Sequence, residues 1–306
     1  MSMAPVPIVF AFDQRVLRPA VVAINSLVDA AHEDTTYEIH ILHPGFNGKI
    51  ISAFTSILAQ TRHRIIFHLV DPRQFDTLPK GRGSWTEIVY YRFLIPEVLK
   101  DHDRAIYSDI DVFFKDDLST LMTLDMGNCP IGAVIGEVNS PNMQCHTYFP
   151  ENASEYIYMS GFLLFDLTRM RQDDISARIL ATAREFRRRL KMYDLEALNL
   201  ACPDIKSLPF DYCVLESIYE SDSIKDADEF PWLSKAYKYS DLEKAKIKPT
   251  IIHYAGKLGK PWRRINVPYY YRQYLEDVPR ALNKRTFRDM RKLLESIVKH
   301  KLSKKI

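Results

Sequence analysis

Apolar residues in the first seventy positions switch between two periods. Val6–Phe12 is a continuous apolar run of strand length, and Arg15–Ala31 then repeats Val16, Ala20, Ala23, Ile24 and Leu27 at helical spacing. EIHIL at Glu38–Leu42 reads as a second strand, Gly48–Thr61 as a second helix and Arg64–Val70 as a third strand. This alternation predicts an α/β domain with a parallel sheet and helices on both faces. Farther on, Trp85–Leu99 is aromatic-rich and predicted helical up to Pro96, and Asp103–Phe114 reads as a strand with a polar centre. Ile131–Ile135, Tyr156–Leu167 and Pro249–His253 supply further strands, and Asp174–Leu190 and Asp194–Ala201 further helices. No Gly/Ser-rich linker or internal repeat interrupts the chain, so we expect one domain over residues 1–284, with a distinct tail over 285–306.

Composition narrows the functional classes. The 306 residues are 46% apolar and 26% charged, which excludes disordered, collagenous and low-complexity chains. The net charge of +3 is unevenly spread: residues 285–306 hold eight basic and two acidic residues, leaving 34 basic and 37 acidic in the body. A nucleic-acid partner is therefore not expected. Four cysteines without a C-x-x-C pair suggest a reducing compartment, and no apolar run reaches membrane-spanning length. The first residues lack a basic region before their apolar run, so no cleaved signal is expected and the protein is expected in the cytoplasm.

Two segments carry candidate chemistry. In AIYSDIDVFF, Asp109 and Asp111 are framed by apolar runs on both sides, unlike Asp101/Asp103 and Asp226/Asp228. Paired carboxylates at the end of a buried strand repel unless a cation neutralises them, and oxygen donors select hard divalent ions. The plainer reading is a surface turn with acids capping the next segment. In IIHYAGKLGKPW, a strand-like run ends at His253, followed by Gly256, Lys257, Gly259 and Lys260. Glycines let backbone amides approach a ligand, lysines suit phosphate oxygens, and a histidine ligand would favour Mn²⁺ over Mg²⁺. A hydrogen-bonded histidine and a solvated lysine loop are the plainer alternative.

These motifs, in this order, resemble glycosyltransferase family 8, the retaining nucleotide-sugar enzymes that include bacterial lipopolysaccharide galactosyl- and glucosyltransferases, which implies a GT-A-type, Rossmann-like domain with a mixed, mainly parallel central sheet flanked by helices. The resemblance runs from Ile8 to about Trp262. It implies that Ala11, Phe12 and Asp13 in IVFAFD surround the uracil and ribose, and that Arg92 in YYRFLIPEVL reaches the donor sugar or phosphate. SDID is similar to the family's metal-binding D-x-D. Asp109 would then touch metal and ribose, Ile110 would lie with the donor, and Asp111 would bind the metal. MSGFLLFDL implies donor-sugar contacts at Ser160 and Gly161. DLEALN is similar to a helix whose first acid, Asp194, binds donor hydroxyls. HYAGKLGKPW implies His253 as a metal ligand, with Gly256 and Lys260 on the diphosphate. Three positions depart from the pattern: Met159 replaces an Asn, Leu195 replaces a Gln, and Lys260 lies one residue farther from Gly256 than usual, so that Lys257 is a candidate for the same role.

The implied activity is Mn²⁺-dependent transfer, with Mg²⁺ as the other candidate ion, of galactose or glucose from a UDP-sugar to a saccharide or glycolipid acceptor such as lipopolysaccharide, with retention. A front-face route needs no enzyme nucleophile. A double displacement would use Asp194 or Glu196. A nucleotide-sugar-binding protein with an altered or inactive site is the alternative suggested by Met159 and Leu195, and a nucleotidyltransferase or phosphohydrolase would also use paired aspartates. On the acceptor side, Glu137, Asn139 and His146 are candidate contacts or ordinary loop residues, and Tyr269, Tyr270 and Tyr271 could stack on sugars or pack a helix. The tail places Phe287, Met290, Leu294, Ile297 and Val298 at helical spacing among basic residues, a pattern that suits an anionic membrane surface and peripheral attachment to its inner face, the rival reading being a helix docked on the protein with a solvated basic face.

Overall fold

Six successive buried residues form β1 (Val6–Ala11), and their side chains alternate between two cores. Ile8 and Phe10 pack with Ala20 and Ile24 of α1 (Leu17–Asp29) and Phe54 of α2 (Gly48–Leu58), whereas Val9 packs on the other side with Tyr90, Tyr91 and Phe93. A strand buried on both faces needs this continuous apolar run, each fully buried side chain contributing about 1.5–3 kcal/mol. The computed structural model describes residues 4–81, 86–142 and 148–303.

β2 (Tyr37–His43), β3 (Arg64–Leu69), β4 (Arg104–Ser108), β6 (Ile131–Val138), β7 (Tyr156–Asp166) and β8 (Ile205–Ser207) join β1 in a seven-stranded sheet of order β3-β2-β1-β4-β7-β6-β8. β7 runs antiparallel to both neighbours, and the other pairings are parallel. A three-stranded sheet places β10 (Ile251–His253) between β5 (Val112–Phe114) and β9 (Val214–Leu215). The expected mixed sheet with helices on both faces is what the chain builds.

Two expectations are corrected. The aromatic segment is a 3₁₀-helix over Glu87–Leu94 that passes into α3 (Ile95–Val98), so the helix continues through Pro96. Proline is tolerated there because it lies in the first turn, whose N–H groups have no helical partner. Asp103–Phe114 is two strands in two sheets: β4 ends at Ser108, Asp109–Asp111 cross over, and β5 begins at Val112.

Helices α4 (Leu167–Gln172), α5 (Ile175–Glu185) and α6 (Asp194–Ala201) follow β7, and α7 (Glu216–Tyr219), α8 (Phe230–Ala236) and α9 (Tyr239–Ile247) precede β10. In α10 (Tyr269–Glu276), Tyr271 is fully buried and Tyr270 sits edge-on to Phe113, so these two rings pack the helix on the body while Tyr269 stays exposed. The tail forms α11 (Phe287–Ser303). Thr286 and Asp289 close its start as a capping box: the Asp289 amide donates to Thr286 Oγ1 at 3.1 Å, and the Thr286 amide to Asp289 Oδ2 at 3.0 Å. Arg263 Nε donates to the buried Asp289 at 2.5 Å and Ile265 N to Ser296 Oγ at 3.2 Å, so one face of α11 is held on the body. Phe287, Met290, Leu294 and Val298 are exposed on the helix. No helix among the described residues is long and apolar enough to cross a membrane.

Candidate active site

β1 and β4 lie side by side and parallel, so the chain leaves both at the same edge of the sheet, and an open cleft of about 580 Å³ forms there. Ala11, Phe12, Asp13, Arg92, Asp109, Ile110, Asp111, Ser160, Asp194 and Lys260 all line it. Residues drawn from six separate stretches of sequence thus meet in one place.

Backbone pairing sets the two aspartates. Asp109 N donates to Gly161 O on β7 at 2.8 Å, and Tyr254 N, just past β10, donates to Asp111 O at 2.9 Å. His253 pairs with Val112 across β10 and β5, which places its ring beside Asp111, with Nε2 3.4 Å from Oδ1. One ligand atom from each of Asp109, Asp111 and His253 lies within 4.8 Å of the others. The space between them depends on Gly161, where a Cβ would come 2.8 Å from His253 Cε1 and 3.1 Å from Asp109 Oδ2. Two carboxylates and an imidazole around a cradle that one methyl group would fill suit a divalent ion.

A lysine currently supplies positive charge to this pair. Lys260 Nζ contacts Asp111 Oδ2 and donates to Tyr254 O at 2.8 Å. Burial alone would raise the Asp111 pKa, but Lys260 and His253 outweigh it and hold the carboxyl well below the usual range. Burial likewise opposes charge on His253, yet Cys213, 3.3 Å from Nδ1, and Asp111 push its pKa up to about 10.

Arg92, on the 3₁₀-helix, spans the cleft floor. Nε donates to Val89 O at 2.8 Å, Nη1 to Ser160 O, and Nη2 to Asp109 Oδ1 at 3.1 Å, while the guanidinium lies 4.3 Å from the centre of the Tyr107 ring. Asp194 Oδ2 is 3.2 Å from Nη1, but that nitrogen aims at Ser160 O, so Oδ2 accepts no hydrogen bond from the described residues. Burial raises the Asp194 pKa to about 6, against the nearby charge of Arg92. Asp194 stands at the start of α6 after Tyr193, whose φ of 45° turns the chain sharply into the helix.

Other predicted residues fall elsewhere. Glu196 Oε2 accepts the Lys191 and Met192 amides at 2.5 and 2.8 Å, closing the turn before α6, and it does not line the cleft. Lys257 Nζ reaches Asp228 at 2.5 Å, away from Asp111. Gly256 packs near Ser217, whose Oγ would be 3.1 Å from an added Cβ. Met159 points to the opposite side of β7 from Ser160: a Cβ on Gly136 would meet its Sδ at 2.5 Å, and it borders a small cavity with Phe210 and Cys213. Leu195 is buried and outside the cleft lining. Asn139 is engaged in its own loop, its side chain exchanging hydrogen bonds with the Phe149 backbone at 3.1 and 3.2 Å. His146 lies outside the described residues.

Sequence reasoning missed Arg15, Tyr107, Trp262, Arg263 and Arg288, all of which line the cleft. Arg15 is two residues past Asp13 and donates to it through Nε at 2.6 Å, and Arg263 directly follows the K-P-W segment, so adjacency to known motifs was the available signal. Arg288 had none, because it arrives with the start of α11.

The sequence profile of glycosyl transferase family 8 matches residues 7–266. The lipopolysaccharide 1,2-glucosyltransferase of Escherichia coli K12 is 23% identical over 279 residues, 89% of this chain and 78% of that protein. Lipopolysaccharide glucosyltransferase WaaO of the same organism is 22% identical over 170 residues, 54% of this chain. That match spans only half, 50%, of WaaO. Among solved structures, the galactosyltransferase LgtC in complex with donor and acceptor sugar analogues superposes with a TM-score of 0.73 at 24% identity, covering 94% of this chain and all of LgtC. The likeness to LgtC identifies the fold as GT-A.

Proposed function

This chain belongs to glycosyltransferase family 8, and on that premise we propose that it transfers a hexose from a UDP-sugar to a saccharide acceptor with retention of configuration, dependent on Mn²⁺ or Mg²⁺. The observation that carries this reading is the convergence of Asp109, Asp111 and His253 around the Gly161 cradle, beside Lys260 and Arg92.

Asp109, Asp111 and His253 would hold the ion, which when bound supplies Lewis-acid neutralisation of charge on a diphosphate. The chain's own residues do the rest. Lys260 adds fixed positive charge where the leaving diphosphate develops its own, and Arg15, Arg263 and Arg288 extend that field along the cleft. Arg92 locks Asp109 to the backbone of Ser160, so the floor is ordered before substrate arrives. Asp194, which lines the cleft and whose Oδ2 accepts no hydrogen bond from the described residues, suits a donor-sugar hydroxyl. The acceptor hydroxyl attacks from the face the diphosphate leaves, and its proton passes to a departing phosphate oxygen. Glu196 is occupied by backbone amides, which leaves Asp194 as the carboxylate for a double displacement. Its ion pair with Arg92 favours the front-face route instead. Met159 and Leu195 lie off the cleft lining, which supports an active rather than an altered site.

We place the acceptor on a lipid carrier, lipopolysaccharide or another glycolipid, at the cytoplasmic face of an anionic membrane. Arg288, at the start of α11, lines the cleft, while Phe287 and Met290 beside it and Leu294 and Val298 beyond are exposed among basic residues. One helix therefore links the cleft rim to a surface suited to lipid.

A donor screen by thermal shift with Mn²⁺, followed by UDP release from the stabilising donor, tests the proposal. Turnover that Asp111→Ala abolishes is expected. Binding of UDP without transfer or hydrolysis of any UDP-hexose would refute it.

A further inference from the structure

A second cluster of ligand-type side chains lies at the other end of the sheet. Glu38 and His40 are two residues apart on β2 and so share one face. Glu38 pairs with Pro7 near the start of β1 and with Arg64 at the start of β3, whereas the cleft lies beyond the ends of β1 and β4. His102 arrives from the turn before β4. Its Nε2 lies 3.1 Å from Glu38 Oε1, and His40 Nε2 is 2.8 Å from the same oxygen. One ligand atom from each residue lies within 4.8 Å of the others.

We propose that Glu38, His40 and His102 form a second divalent-metal site, suited to Zn²⁺ and separate from the cleft. Two imidazoles and one carboxylate are a borderline donor set that Zn²⁺ accepts, leaving a fourth position for water, whereas the oxygen-rich cleft triad suits Mn²⁺ or Mg²⁺. With metal–ligand bonds of about 2.0–2.1 Å, a tetrahedral site needs ligand atoms about 3.3 Å apart, so the two imidazole–carboxylate spacings of 2.8 and 3.1 Å must open by about half an ångström or less.

The surroundings fit. Glu38 and His40 are each 2% exposed. Arg64 now reaches Glu38 Oε2 from solvent, its side chain 63% exposed and free to withdraw. His68 Nε2 lies 2.9 Å from His40 Nδ1, with the two rings stacked. With the proton on Nδ1 and directed at His68, His40 presents Nε2 to a metal, the arrangement by which an outer partner orients a histidine ligand. His102 Nδ1 has no hydrogen-bond partner among the described residues, so that ring carries its proton there without breaking a bond. An ion here would tie β2 to the segment entering β4 across the start of β1, a structural role.

The test uses the full chain stripped with chelator and titrated with Zn²⁺ against a chromophoric competitor, in an Asp111→Ala background that disables the cleft triad. One Zn²⁺ per chain and a raised Tm are expected. Adding His102→Gln should abolish both effects, and adding His68→Ala, which keeps all three ligands, should weaken binding about 10–100-fold. Co²⁺ should give the visible absorption of a four-coordinate nitrogen–oxygen site. No Zn²⁺ bound in the Asp111→Ala chain, or binding unchanged by His102→Gln, overturns the proposal.

Discussion

Gly161 and His253 face each other so closely that one added methyl group on Gly161 would lie 2.8 Å from the His253 ring. β7 and β10 belong to different sheets, and the Asp109–Asp111 crossover is bonded to Gly161 on β7 and to Tyr254, just past β10. Gly161→Ala should therefore fold, since its backbone does not require a positive φ, yet displace the triad. Displacement of about 1 Å costs about 10²-fold in rate. We expect donor turnover to fall by about that factor with unchanged circular dichroism. Full activity in the variant would show that the triad does not bind as described.

Arg92→Lys tests the fork. A lysine carries the charge but cannot bond Ser160 O and Asp109 together while lying over Tyr107. Turnover should drop about 10²-fold or more, while Asp194, still beside a positive charge, should keep its titration near pH 6. A rate profile of the variant against pH reads both.

Asp194 gives a pH dependence of defined sign. Its folded-state pKa of about 6 lies above the ordinary aspartate value, so the folded chain holds the proton more tightly than the unfolded one. Its contribution makes stability fall as pH rises from about 4 to about 6. Activity should run the other way if the ionised oxygen accepts a donor hydroxyl, losing its acid limb near pH 6. Asp194→Asn should flatten the stability slope in urea melts. An unchanged slope would contradict the assigned cause.

The exposed stripe on α11 predicts vesicle binding. Burying each of Leu294 and Val298 contributes about 1.5–3 kcal/mol, and each nearby basic residue about 1 kcal/mol at an anionic surface. Leu294→Glu with Val298→Glu should cut co-sedimentation with anionic vesicles at least about tenfold, while turnover on a soluble acceptor is retained. Equal binding by the variant would place the membrane contact elsewhere.

Asp289→Ala removes both the capping box of α11 and the partner of Arg263. A lost cap costs about 1 kcal/mol and a broken buried pair more. A lower Tm and faster proteolysis near residue 286 are expected. Donor affinity should weaken as well, because Thr286 and Arg288 line the cleft.

The hydrophobic periods of the chain already determined the α/β layering, because whether a segment is strand or helix and which face it buries depend on neighbours two to four positions away. Framed by apolar runs, Asp109 and Asp111 stood out in the sequence as candidate metal ligands, and the motif order resembled the family to which the chain belongs. Only the tertiary structure decided which charges meet. Lys257 and Lys260 are equivalent as text, yet one reaches Asp228 and the other Asp111. Asp194 and Glu196 share a helical turn, yet one faces the cleft and the other closes a backbone turn. Glu38 and His102 are strangers in sequence and 3.1 Å apart in space. Residue type and local period set what a side chain can do. Where it points is set by packing between segments far apart in the chain, and a charge acts only on what lies within a few ångströms of it.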